Sequence, residues 1–205
     1  MRLLSPAMVV LGHPRADSFC HAAAARIRAT LTEAGARVGW HDLYVEGFDP
    51  LLTADESRLP GPGGGARPTA DPLVDTHRRE LAVARALVVV HPNWWGKPPA
   101  VLAGWLDRVL APGVAYRDHG PTAPIEPLLG VRRLLVVTTT DSPPDRDGAG
   151  DPLDLLWRRA VAPTLGGPDV ERMVFPQVNA ADDDRRRRWL DGAARAAAWV
   201  SGAAR

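Results

Sequence analysis

Leu87-Val88-Val89-Val90-His91-Pro92-Asn93-Trp94-Trp95-Gly96-Lys97-Pro98-Pro99, followed by Ala100-Val101-Leu102-Ala103-Gly104-Trp105-Leu106-Asp107-Arg108-Val109-Leu110, is the stretch that decides the fold. Its first four residues form an apolar run without alternation, which fits a strand covered on both faces, as in a parallel sheet. Pro98 or Pro99 suits the first turn of a helix, where a missing N–H costs nothing. Strand, loop, helix is the resulting order. Trp94 and Trp95 are anomalous in the loop. Large aromatics at the carboxyl end of a parallel strand are placed to shape a pocket for a flat ligand; the plainer alternative is that they cap the core or fill a subunit interface.

Working outward, Met8-Val9-Val10-Leu11-Gly12 reads as an earlier buried strand running into His13-Pro14-Arg15-Ala16-Asp17-Ser18-Phe19-Cys20-His21. An alanine-rich helix then passes Ile27 and Leu31 and stops at Gly35, a residue suited to the position just past a helix C-terminus. Free N–H groups and the positive end of that helix meet at Ser18 and Phe19, where a hydroxyl adds a donor for a phosphate. Asp17 or Ser18 serving simply as an N-cap is the competing reading. Val38-Gly39-Trp40-His41-Asp42-Leu43 is the next strand, and residues 45–75, rich in Pro and Gly, form a long surface excursion. Gly61-Pro62-Gly63-Gly64-Gly65-Ala66 superficially resembles a dinucleotide fingerprint, but no strand precedes it, so a loop is the better reading.

A helix over residues 75–85 leads into the central strand. Leu134-Leu135-Val136-Val137-Thr138 is a fourth strand opening into a polar loop, Thr139-Thr140-Asp141-Ser142 and onward to Asp151. Asp145-Arg146-Asp147-Gly148 echoes a calcium loop, yet Pro143 stands where an oxygen ligand is needed, so a solvated acidic loop is expected and no metal site is assigned. Residues 153–164 read as helix and 170–175 as a fifth strand. The last helix begins at Asp182-Asp183-Asp184, with Leu190, Ala193, Ala194, Ala197 and Val200 on one apolar stripe. Its arginines 185–188 are expected on a solvated face, paired Asp183 to Arg187 and Asp184 to Arg188.

The 205 residues, 45% of them hydrophobic and with a formal net charge of +1, allow one substantial core and argue against a nucleic-acid partner. No apolar run approaches the roughly 20 residues that span a bilayer, and Met1-Arg2-Leu3-Leu4-Ser5-Pro6 lacks a signal peptide's apolar segment, so a cytoplasmic protein, not embedded in a membrane, is expected. The single cysteine, Cys20, excludes an internal disulfide framework.

Five strands alternating with helices imply an α/β domain with a doubly wound parallel sheet, over one domain spanning residues 1–205. Five strands fit the flavodoxin-like order 2-1-3-4-5, in which the loops after strands one, three and four converge. Together those loops resemble the NAD(P)H quinone oxidoreductase family, which includes mammalian quinone reductases and flavin-bearing ancillary subunits of bacterial potassium efflux systems. The likeness rests on His13…Ser18-Phe19, on Pro92-Asn93-Trp94-Trp95-Gly96 with the Gly104-Trp105-Leu106-Asp107-Arg108-Val109 helix, on Gly113-Val114-Ala115-Tyr116, and on Thr139-Thr140.

The resemblance implies that His13, Ser18 and the Phe19 backbone hold a flavin phosphate. It places Pro92, Asn93, Trp94, Trp95 and Gly96 along the ribityl chain and ring edge, with Thr139, Thr140 and Asp141 near the pyrimidine end. Trp95 and Tyr116 belong to the substrate pocket, Tyr116 closing that of a partner subunit in a homodimer. FMN is the first choice of cofactor and FAD the second, with NADPH or NADH as electron donor and a quinone or similar flat acceptor. No protein side chain is assigned as catalytic, since the flavin carries the chemistry. Three departures stand out: Asp141 where many relatives have glycine, no tyrosine and histidine pair between Asp141 and Arg159, and Cys20 where asparagine is common. Competing readings are a dedicated biosynthetic reductase, an ancillary subunit of a transporter, and a domain that has lost its cofactor.

Overall fold

A computed structural model describes residues 4–58, 69–120, 122–143 and 150–202. The Gly61–Ala66 and Asp145–Gly148 segments, Arg146 included, lie outside the described residues. Strands β1 (Leu4–Leu11), β2 (Ala36–Asp42) and β3 (Ala86–Pro92) are followed by two short strands, β4 (Tyr116–Arg117) and β5 (Glu126–Pro127), and then by β6 (Arg133–Thr139) and β7 (Asp169–Phe175). The parallel sheet runs β2-β1-β3-β6-β7, which is the order 2-1-3-4-5 when its own five strands are counted. The pair β4 and β5 forms a separate antiparallel ribbon.

Every residue of β3 is buried, as its unalternating pattern requires of a central parallel strand. Its side chains divide between two apolar layers. Leu87 and Val89 join Met8, Val10, Leu134 and Val136 beneath helices α2 (Pro72–Val83) and α3 (Ala100–Val109), a layer that also buries Trp105 and Trp157. Val88 and Val90 join Val9, Leu11, Leu135 and Val137 under α1 (Phe19–Glu33) and the C-terminal helix. Between β6 and β7 run α4 (Pro152–Leu155), a π-helical turn (Leu156–Val161) and α5 (Ala162–Thr164). The last helix, α6 (Asp183–Ser201), follows a 3-10 turn at Val178–Ala180.

Several boundaries differ from the sequence reading. Helix α2 starts at Pro72, because the Asp71 carboxylate caps the N–H groups of Leu73 and Val74. In α6 Asp182 is the N-cap, and Arg187 pairs with Asp184 rather than Asp183. The described parts of the 45–75 excursion, residues 45–58 and 69–75, are anchored more firmly than a surface loop. Arg108, 3% exposed, sends its guanidinium to Glu56 at 3.1 Å, Asp71 at 3.1 Å and the Asp49 carbonyl at 2.7 Å. Behind it, His41 lies between Glu46 at 2.9 Å and Glu80 at 3.0 Å, while Trp105 donates to His77 Nδ1 at 2.8 Å. Ligand-type atoms of His41, Glu46 and His77 come within 4.8 Å of one another. Since an indole N–H can only donate, His77 carries its proton on Nε2, the nitrogen facing Glu46 at 3.2 Å. Both ring nitrogens of His41 and Nδ1 of His77 are taken by hydrogen bonds, while His77 Nε2 and Glu46 Oε2 face each other without one.

Candidate functional site

Parallel strands leave their carboxyl ends together, and here β1, β3 and β6 are adjacent. Pro92 and Thr139 are register partners at the last positions of β3 and β6, and Gly12 N–H bonds to the Val90 carbonyl at 3.0 Å. The three loops that follow therefore wall one cavity of about 530 Å3.

The first wall is the turn from His13 to Cys20. Ser18 caps α1 by accepting the N–H of His21, and the N–H groups of Phe19 and Cys20 fall in the first helical turn, where no intrahelical acceptor exists. His13 Nδ1 accepts the N–H of Arg15 at 3.1 Å, which leaves its proton on Nε2. Burial, with His21 and Arg15 nearby, lowers the His13 pKa and favours the neutral ring.

The second wall is Pro92, Asn93 and Trp94. Asn93 N–H donates to the Thr139 carbonyl at 2.7 Å, and its side chain accepts the N–H of Gly96 at 2.8 Å. Trp94 stands 6.0 Å from the His13 ring. Trp95 and Gly96 follow with φ of +61° and +70°, and Trp94 and Lys97 bond to each other across them, the pattern of a type I′ turn. Such a φ strains a bulky residue, yet the turn holds Trp95 97% exposed. Trp95 and Gly96 stand outside the cavity wall, as does Tyr116 on β4. Gly96 instead packs toward Pro152, where a Cβ would approach to 2.8 Å.

Thr139, Thr140, Asp141 and Ser142 form the third wall. Thr139 Oγ1 lies 3.3 Å from Cys20 Sγ; burial, only partly opposed by that contact, pushes the thiol up to about 11. A neutral thiol thus stands where the departure from asparagine occurs. Asp141 turns its carboxylate onto Asn179, accepting the backbone N–H at 3.1 Å and the side-chain N–H at 2.6 Å. Its charge is engaged by the neighbouring turn.

The segment after β7 also contributes to the cavity. Arg186, from the run assigned to a solvated face, lines it with Val178 and Asn179. Its guanidinium donates to the Ala181 carbonyl at 3.1 Å and the Val178 carbonyl at 3.0 Å, and it sits 5.9 Å over Phe19. Nothing local distinguishes Arg186 from Arg185, Arg187 or Arg188; only the packing of α6 on α1 selects it.

A doubly wound sheet with a cavity at its switch point defines a class of proteins that bind ligands beyond the carboxyl ends of the strands. The chain belongs to a family described as having a flavodoxin-like fold, whose pattern matches residues 6–199. It is 26% identical over 189 residues, 91% of each chain, to an uncharacterized NAD(P)H oxidoreductase of Haemophilus influenzae. NAD(P)H dehydrogenase [quinone] 1 of Cavia porcellus is 29% identical over 142 residues, 59% of this chain and 50% of that one. Among solved structures, an FMN-dependent NADH-azoreductase from Bacillus anthracis in complex with FMN superimposes with a TM-score of 0.71 over 96% of this chain and 99% of its own, at 12% identity, a likeness of fold.

Proposed function

We propose that this chain is a flavin-dependent NAD(P)H oxidoreductase that works as a homodimer in the cytoplasm, with FMN in the cavity and a quinone or similarly flat molecule as acceptor. The observation that carries this reading is the convergence of three loops on one cavity whose lining combines an anion site with hydroxyl and backbone groups. The first loop brings a helix N-terminus with Ser18 for a phosphate; the third brings Thr139, Thr140 and their backbone. The Haemophilus influenzae relative, similar over nearly its whole length, supports the oxidoreductase class. FMN is favoured over FAD because Arg108 ties down Glu56, Asp71 and the Asp49 carbonyl, so this part of the excursion is committed to the core.

When bound, a flavin supplies the redox chemistry, accepting a hydride from a nicotinamide and passing two electrons on. The protein's residues bind and orient. Ser18, with the Phe19 and Cys20 N–H groups, takes the phosphate, and His13 offers Nε2–H. Arg186 adds positive potential at the wall. Trp94 offers an aromatic face, and the protonated Cys20 keeps negative charge away from the ring. Trp95 on its strained turn and Tyr116 on β4 are the groups a second copy would meet, and they complete the acceptor pocket of the dimer. Anaerobic stopped-flow mixing of the FMN-loaded protein with NADPH or NADH tests this: the account expects bleaching of the flavin band by at least one donor and reoxidation by a simple benzoquinone. Absence of reduction by both would contradict the enzyme reading.

A further inference from the structure

Behind the cavity wall a relay runs through three side chains. Ser18 Oγ lies 2.9 Å from His21 Nδ1, and His21 Nε2 lies 2.9 Å from Asp42 Oδ2. The other carboxylate oxygen of Asp42 accepts the N–H groups of Tyr44 and Val45, each at 3.2 Å. Asp42 is therefore committed as an acceptor, and His21 carries a proton on Nε2 whatever its charge. Both side chains are largely buried, at 16% and 8% exposure.

With Nε2 occupied, the state of Nδ1 decides what Ser18 offers the cavity. Ser18 Oγ has one hydrogen and two lone pairs, and one lone pair already receives the His21 backbone N–H. Beside a neutral imidazole the hydroxyl must donate to Nδ1, so a lone pair faces the cavity and repels an oxyanion. Beside an imidazolium, Nδ1–H fills the second lone pair. The hydroxyl hydrogen is then free to point at an anion.

We propose that His21 is a proton-linked positioning residue: a flavin phosphate seated at Ser18 binds together with a proton on His21, whose charge turns the Ser18 hydroxyl toward it. This rests on the reading that the cavity takes FMN. The ionisable groups shown against His21 are Asp42 from the end of β2 and His13 from the loop before α1, with Arg15 and Asp17 of that loop bearing on His13. The His13 ring stands 6.1 Å away, and Arg15 and Asp17 form an exposed pair at 3.9 Å. A charge on His13 opposes one on His21, so the neutrality of His13 suits the proposal. Affinity for FMN then falls as pH rises wherever binding takes up that proton, by up to tenfold per unit. The second ionisation of the phosphate, near pH 6, runs the other way and is common to every variant.

Isothermal titration of the full chain with FMN, from about pH 6.5 to 8.5 in buffers of different ionisation enthalpy, counts the protons taken up. The expected result is uptake approaching about one proton for FMN in the upper part of that range, and none for riboflavin, which lacks the phosphate. His21→Gln should lose the linked uptake and bind FMN about tenfold more weakly at the acidic end, the difference between a charge-assisted hydrogen bond and a neutral one. Asp42→Asn, which withdraws the charge behind Nε2–H, should move the fall in affinity to lower pH. Should either variant fail to fold, the contrast between FMN and riboflavin in the natural protein decides alone. Equal uptake for the two flavins, or an FMN affinity flat with pH, overturns this proposal while leaving flavin binding intact; no FMN binding at any pH overturns the proposed function together with it.

Discussion

Ser18 does two jobs with one oxygen: it caps α1 and offers a hydroxyl to the cavity. Ser18→Ala separates them. The lost cap should cost about 1 kcal/mol in a urea melt, and the lost hydroxyl should weaken FMN about tenfold while leaving riboflavin unchanged. Equal loss for both flavins would place the phosphate elsewhere. The buried His41 and its half-buried partner Glu46 make a second prediction at this scale. Burial raises the Glu46 carboxyl, but hydrogen bonds and charge from His41 and His77 outweigh it and hold it down to about 2. Burial likewise lowers His41, yet Glu46 and Glu80 outweigh it and raise it above its ordinary value. The depressed carboxylate stabilises the fold above its ordinary value of 4.5, and that contribution fades as pH falls toward about 2. The raised imidazole stabilises below its ordinary value of 6.5, and its contribution fades as pH climbs through the folded value. Comparing urea stability of the protein and its His41→Gln variant should give a difference largest between pH 4.5 and 6.5 and smaller on either side. A difference constant with pH would contradict the pairing.

Among elements, the joint between α3 and the 45–75 excursion bears most load. A Cβ on Gly104 would fall 2.1 Å from the Pro50 carbonyl oxygen, backbone that cannot step aside cheaply. Gly104→Ala should destabilise by about 2 to 3 kcal/mol, lowering Tm by about 5 to 10 °C. Arg108→Met leaves Glu56 and Asp71 facing each other without their cation and should cost about 3 to 5 kcal/mol; hydrogen exchange should report faster opening at residues 49–58 with β3 still protected. Uniform loosening of both would contradict the anchoring. This joint was poorly legible in the sequence, because Arg108 meets its partners 52 and 37 positions away. The start of α2, by contrast, was written in Asp71-Pro72, a cap followed by a first-turn proline, and only the low periodicity around it hid the signal. The short β4 and β5 ribbon carries no alternating pattern at all, being two residues on each side.

At the scale of the molecule, two apolar layers on a five-stranded parallel sheet follow from the unalternating runs 87–90 and 134–137, which made the parallel sheet readable; strand order and switch point came from the known doubly wound arrangement that five strands fit. The convergence of His13, Ser18, Trp94 and Thr139 follows from that order. Arg186 did not, since the docking of α6 on α1 selects one arginine of four; nor did the setting of Asp141, which depends on a turn after β7 that brings Asn179 beside it. Among the described residues no helix is long and apolar enough to cross a membrane. The claim on which the rest depends is that this one cavity takes one flavin, and titration of the purified chain with FMN, followed by quenching of flavin fluorescence, tests it most directly. Saturable quenching at one flavin per chain, weakened by Ser18→Ala, is the predicted result; fluorescence of FMN and FAD unchanged by the protein at any ratio would contradict the account.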